Sequence, residues 1–150
     1  MSKDSIRIFL VDDDEDDRDL FKDAINEIPL KTRINTFTSG IELISLLEHE
    51  NHNWPQLIFL DLNMPIMGGE ECLQRLRSIP KLDSMPIIVY STIVVDSLAD
   101  RLSEIGANMY LQKPSSFPQL KSLLEQCITS VLQTKGEGKY PDQFIVREDR

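Results

Sequence analysis

Short, nearly unbroken apolar runs alternate along the chain with segments whose apolar residues recur every three or four positions. Ile6–Val11 is the first run, and Leu20, Phe21, Ala24, Ile25 and Ile28 follow it at helical spacing. Arg33–Thr38 reads as a more polar strand suited to a sheet edge, and Ser39–Glu50 as a helix carrying Ile41, Ile44 and Leu47. Strand Leu57–Asp61, helix Gly69–Ile79 and strand Ile87–Tyr90 come next, then helix Val95–Ile105, strand Met109–Gln112 and helix Pro118–Leu132. Five strand–helix units in succession predict one α/β domain over 5–133, a doubly wound parallel sheet with helices on both faces. Residues 134–150 change character, with Gly, Lys, Pro and charges ahead of Phe144, Ile145 and Val146. They read either as a mobile tail or as a segment that docks on this domain, a second copy or a partner.

Parallel strands all finish on one edge of their sheet, where ligands of such folds gather. Asp12, Asp13, Asp61, Ser91 and Lys113 all stand at or just after strand ends. Carboxylates brought together there need compensation. Two at about 4 Å repel by roughly 4 kcal/mol at a moderate effective dielectric. A hard divalent cation with oxygen ligands fits the need best.

Composition narrows the classes further. A net charge of −9 argues against nucleic acid as a direct ligand. Residues 12–19 (DDDEDDRD) hold seven acids and one Arg, so −6 of that charge sits on eight positions. Asp14 is placed to cap the first helix, and Glu15, Asp16, Asp17 and Asp19 read as its solvated start. The apolar runs are too short for a bilayer, and Met1–Asp4 lacks an apolar signal region, so a cytoplasmic protein is expected. Cys72 and Cys127 fall in helical apolar patterns and read as core residues in a reducing compartment. His49 and His52 sit in a polar stretch and read as solvent-facing.

LVDDDEDD, IFLDLNMPIMGG, IVYST and YLQKP, in that order and spacing, resemble the receiver domains of two-component response regulators, over about residues 5–133. The resemblance implies a flavodoxin-like (βα)5 sheet of five strands in the order 2-1-3-4-5. It implies a signalling protein rather than an enzyme, accepting a phosphoryl group on Asp61 from a sensor histidine kinase or phosphotransfer protein. Mg²⁺ would be held by Asp13, by Asp12 directly or through water, by Asp61, and by the Asn63 backbone carbonyl. Lys113 would pair with a phosphoryl oxygen, aimed by a cis bond to Pro114. Ser91 would bind the phosphoryl group as the switch hydroxyl, ahead of Thr92. Tyr110 would then turn inward, remodelling the face of the fourth helix, fifth strand and fifth helix. Asn63 and Ile93 would tune the lifetime of the phosphoryl group. Gly68-Gly69 departs from the Asp-Gly common in relatives, loosening the turn without removing a reactive group.

With no DNA-binding or enzymatic segment following, output by protein contact, onward relay or phosphate buffering is expected, and self-association through that same face is a further expectation. The alternatives are a haloacid-dehalogenase-type phosphohydrolase, with Asp12-x-Asp14 imitating its nucleophile motif, and a binding module that has lost phosphorylation. The first needs another acidic pair after Lys113 that the chain lacks.

Overall fold

In the computed structural model, which describes residues 5–49, 53–134 and 144–148, the apolar runs form strands covered on both faces. These are β1 (Ile6–Val11), β2 (Thr32–Phe37), β3 (Leu57–Asp61), β4 (Ile87–Ser91) and β5 (Met109–Gln112). Between and after them lie α1 (Glu15–Glu27), α2 (Gly40–Leu47), α3 (Gly69–Arg77), α4 (Asp96–Ile105) and α5 (Phe117–Gln133). Every strand pair is parallel, and the sheet order is β2-β1-β3-β4-β5-β6, with β6 at Ile145–Val146. The chain runs outward from β1 to β2 and crosses back over β1 to β3, so the topology reverses between β1 and β3. That reversal opens a crevice at the C-terminal ends of these two strands.

Alternation along each strand divides the core into two layers. Ile8 and Leu10 pack with Phe59 and Leu111 against α1 and α5, through Phe21, Ile25, Leu124 and Ile128. Phe9 and Val11 pack with Leu60 and Val89 against α2, α3 and α4, through Leu43, Leu73 and Leu102. Helix starts follow local chemistry. Asp14, Ser39 and Ser116 each accept a hydrogen bond from the N–H three residues on, a cap worth about 1 kcal/mol apiece. α2 is shorter than the 39–50 expected because Ser39 is its cap and Glu48 ends it; Glu50 lies outside the described residues. α3 ends ahead of Pro80, which opens a 3-10 turn at Pro80–Leu82.

Among the described residues the sheet has six strands, one more than the sequence suggests. Of the two fates expected for 134–150, docking on its own domain is the one adopted by residues 144–148. Ile145 and Val146 pair with Tyr110 and Leu111, and the Tyr110 N–H donates to the Phe144 carbonyl at 3.0 Å. The reason is physical: β5 would otherwise present an unpaired edge. Val146 also joins the α1–α5 layer, while Phe144 and Ile145 join the other. Residues 135–143 and 149–150 lie outside the described residues.

Candidate metal centre

The strand ladders bring the reactive residues to the strand ends, Asp61 and Ser91 as the last residues of β3 and β4, Asp12 and Lys113 just after β1 and β5. The Asp12 N–H donates to Phe37 O at 3.0 Å, Leu62 N–H to Tyr90 O at 3.0 Å and Lys113 N–H to Ser91 O at 2.8 Å. These bonds hold Asp12, Asp61, Ser91 and Lys113 at the crevice although they are far apart in sequence. Ligand atoms of Asp12, Asp13 and Asp61 all lie within 4.8 Å of one another. Asp12 is fully buried, Asp61 nearly so, and Asp13 is exposed.

Each carboxylate has its own setting. Asp12 Oδ1 accepts the Asp14 N–H at 2.9 Å, and Oδ2 accepts the Tyr90 hydroxyl. The Arg18 guanidinium donates to the Asp12 carbonyl at 2.9 Å. Asp61 Oδ1 accepts the Asn63 N–H at 3.1 Å. Burial pushes the Asp61 carboxyl up to about 7; Lys113 and the Asn63 N–H pull it back, and Asp12 adds a smaller upward push. Asp13 makes no side-chain hydrogen bond among the described residues.

Lys113 is the cation in this pocket, 15% exposed at its side chain. Its Nζ is 2.9 Å from Asp17 Oδ2, 3.5 Å from Asp12 Oδ2 and 3.9 Å from Asp61 Oδ1. It also stands 4.4 Å from the centroid of the Tyr90 ring. Burial works to lower the Lys113 pKa, but Asp61, Asp17 and Asp12 together raise it above its ordinary value, so the ammonium stays charged. No described peptide bond is cis, so the expected cis bond before Pro114 is a correction. The trans form is the ordinary preference for such bonds, and Lys113 reaches all three carboxylates with it.

The donor set fits a hard divalent cation. All the donors are oxygens, and three carboxylates against one ammonium leave the cluster at −2. Asp12, Asp13 and Asp61 would hold Mg²⁺, with Asn63 close by at the start of the loop after β3.

The remaining expected residues gather beside the cluster. Ser91 Oγ is buried and accepts from Asn63 Nδ2 at 2.9 Å and from the Ile93 N–H at 3.3 Å. The side chain of Asn63 therefore addresses Ser91. Thr92 uses its carbonyl to accept from Gln112 Nε2 at 3.1 Å. Tyr110, expected to turn inward only on switching, is already fully buried and donates to the Ile93 carbonyl at 3.1 Å. Ile93 itself is 69% exposed. His49 is exposed with Nδ1 2.7 Å from Ser45 O, well away from the crevice in sequence and fold. His52 lies outside the described residues. Cys72 and Cys127 are buried free thiols, each pushed up to about 12 by burial.

Asp17, expected as part of a solvated helix start, is instead half-buried and paired with Lys113, and Tyr90 carried no expectation. The signal for Asp17 was its place in the first turn of α1, three residues after the Asp14 cap and close behind the strand-end acids Asp12 and Asp13. Tyr90 offered only a hydroxyl in an otherwise apolar strand.

Comparison with known proteins agrees with this geometry. The family model described as a response regulator receiver domain matches residues 8–125. A probable chemotaxis protein CheY from Rhizobium etli is 28% identical over 120 residues, covering 80% of this chain and 90% of its own. The crystal structure of the phosphorylated cyanobacterial phytochrome response regulator RcpA superposes with a TM-score of 0.78 at 28% identity, covering 92% of this chain and 99% of that one. The Mn²⁺-bound form of response regulator Rcp1 superposes with a TM-score of 0.75 at 26% identity, covering 91% and 99%.

Proposed function

Because the chain belongs to the response regulator receiver family of two-component signalling, we propose that Asp61 is its phosphoacceptor and that Asp12, Asp13 and Asp61 hold Mg²⁺. The observation carrying this reading is the convergence of three carboxylates from two strand ends, with the Lys113 ammonium 3.9 Å from Asp61.

An Asp61 carboxylate oxygen attacks phosphorus, and the bond from phosphorus to the donor's histidine nitrogen breaks. The electron pair stays on the imidazole, and Asp61 becomes an acyl phosphate. Mg²⁺ bound at the carboxylates would offset the negative charge of the transferring group. Lys113 pairs with a phosphoryl oxygen, and Ser91 gives up the Asn63 amide to bind another. That movement pulls on the Ile93 segment to which Tyr110 is bonded and alters the α4–β5–α5 face. Asn63 and Ile93 flank the group and set its lifetime. The donor is a phosphohistidine of a sensor kinase or phosphotransfer protein, as is typical of the family. Self-association through the α4–β5–α5 face belongs to the same proposal and requires β6 to leave the β5 edge that it covers here; light scattering that stays monomeric with beryllofluoride would remove it.

No described helix is long and apolar enough to cross a membrane. Two free, buried cysteines suit the cytoplasmic location we propose. Neither the phosphohydrolase nor the degenerate-module alternative is supported, since the family match is to signalling receivers. The test is incubation with acetyl phosphate and Mg²⁺, followed by intact-mass measurement. Wild type should gain one phosphoryl group and Asp61→Asn none. Equal labelling of the two would overturn the assignment.

A further inference from the structure

We propose that Asp17 is a positioning residue that holds Lys113 in the resting protein, so that phosphorylation must exchange the Asp17 carboxylate for a phosphoryl oxygen as the ammonium's nearest partner. The inference rests on Asp61 being the phosphoacceptor and names a residue outside the metal cluster that sets how readily it is occupied.

The distances rank the partners of the ammonium. Asp17 Oδ2 at 2.9 Å is within hydrogen-bond reach, whereas Asp12 Oδ2 at 3.5 Å and Asp61 Oδ1 at 3.9 Å are held by charge alone. Asp17 is not free to drift. Its N–H donates to the Asp14 cap at 3.0 Å, which locks the first turn of α1 and aims the side chain at the crevice. Tyr90 closes the other side. Its ring lies under Nζ, and its hydroxyl is committed to Asp12. The ammonium therefore sits between Asp17 and the Tyr90 face, displaced from the carboxylate where an anion is to be received.

Asp17 also differs from its neighbours in the acidic run. Asp16 and Asp19 are exposed, whereas Asp17 is half-buried with 40% side-chain exposure. An anion arriving at Asp61 meets the charge of Asp17 and must draw Lys113 away from it. Both effects oppose its binding. A divalent cation sees the reverse: Asp17 adds attraction and keeps Lys113 back from Asp61. Removing the Asp17 charge should thus move the two affinities in opposite directions, which a purely structural role would not do.

The experiment uses the full chain. Calorimetry measures Mg²⁺ affinity, and a beryllofluoride titration at saturating Mg²⁺ measures affinity for the phosphoryl mimic. For Asp17→Asn, beryllofluoride should bind about fivefold tighter and Mg²⁺ about twofold weaker, in keeping with the modest worth of a partly exposed ion pair. Asp16→Asn removes the same formal charge one residue away, and both constants should stay within about twofold of wild type. Asp17→Glu keeps the charge and should shift both constants back toward wild type. Matching behaviour of Asp17→Asn and Asp16→Asn would overturn the proposal, and so would weaker beryllofluoride binding in Asp17→Asn. Failure of wild type itself to bind beryllofluoride would instead refute the phosphoacceptor reading.

Discussion

The hydroxyl of Tyr90, on β4, reaches across the end of β3 to donate a hydrogen bond to the buried carboxylate of Asp12, at the end of β1. In the sheet register Tyr90 lies opposite Asp61, so this one residue is tied to both strands that build the crevice, to β3 by its backbone ladder and to Asp12 by its hydroxyl. Burial, reinforced by Asp12, holds the Tyr90 phenol well above its ordinary value, which keeps it a donor throughout the working range. Tyr90→Phe keeps the ring beneath Lys113 and deletes only this donor. It should destabilise the metal-free protein by about 1–2 kcal/mol in urea unfolding, because Asp12 stays buried with one partner fewer. Mg²⁺ affinity should fall by about tenfold as Asp12 loses its fixed orientation.

Asp61 sets a pH dependence for the metal-free protein. Its folded value of about 7 lies above the ordinary 3.8, so between those limits the native state binds more protons than the unfolded chain. Stability should therefore fall as pH rises from about 4 to about 7, by on the order of 2–4 kcal/mol for this group. Asp61→Asn should remove that slope, and saturating Mg²⁺ should offset it by binding the ionised form. Urea midpoints across this range with and without Mg²⁺ check the expectation; identical slopes in wild type and Asp61→Asn would contradict it.

The turn after β3 tolerates no side chain at its second glycine. A Cβ on Gly69 would lie 2.6 Å from the Asp61 carbonyl and 2.6 Å from Leu62 Cα, both backbone atoms. Gly68 has open space by comparison, with Leu62 O at 3.8 Å. Gly69→Ala should cost about 1–3 kcal/mol and lower Mg²⁺ affinity, because α3 can be relieved only by shifting the strand end that carries Asp61. Gly68→Ala should do neither. Calorimetry on the two variants separates them.

Ile66, in the same loop, adopts φ of 68° and is 96% exposed. A β-branched residue in this conformation carries strain that neither packing nor burial repays. Ile66→Gly should raise the urea unfolding free energy by about 1 kcal/mol without changing Mg²⁺ affinity.

β6 is joined to the switch region through Tyr110. Its ring and that of Phe144 meet edge to face with centroids 6.4 Å apart, beside the backbone bond between the same residues. Phe144→Ala should lower stability by about 1 kcal/mol and speed exchange of the Tyr110 amide hydrogen. Unchanged Tyr110 exchange would argue that β6 is held by Val146 alone.

The strand and helix periods of this chain are local properties, and they are legible without coordinates. Ile8–Val11, Leu57–Leu60 and Ile87–Tyr90 are apolar on consecutive positions because both faces of a parallel sheet are covered, and Asp14 announces a helix start through its side chain. The bare acids at the ends of β1 and β3 are legible as well, since desolvated charge needs a partner. Tertiary structure decided what depends on reach. Lys113 lies nearer Asp17 than Asp12 or Asp61 because the first turn of α1 and the residue after β5 reach the same crevice, not because of any spacing in the chain. Tyr90 finds Asp12 across an intervening strand. Gly69 is required by the approach of α3 to the Asp61 backbone, and Ile145–Val146 takes up a sixth strand because β5 leaves an edge to fill. Periodicity records which face a residue turns to the core; only the packed sheet determines which side chains, distant in the chain, come within an ion pair of one another.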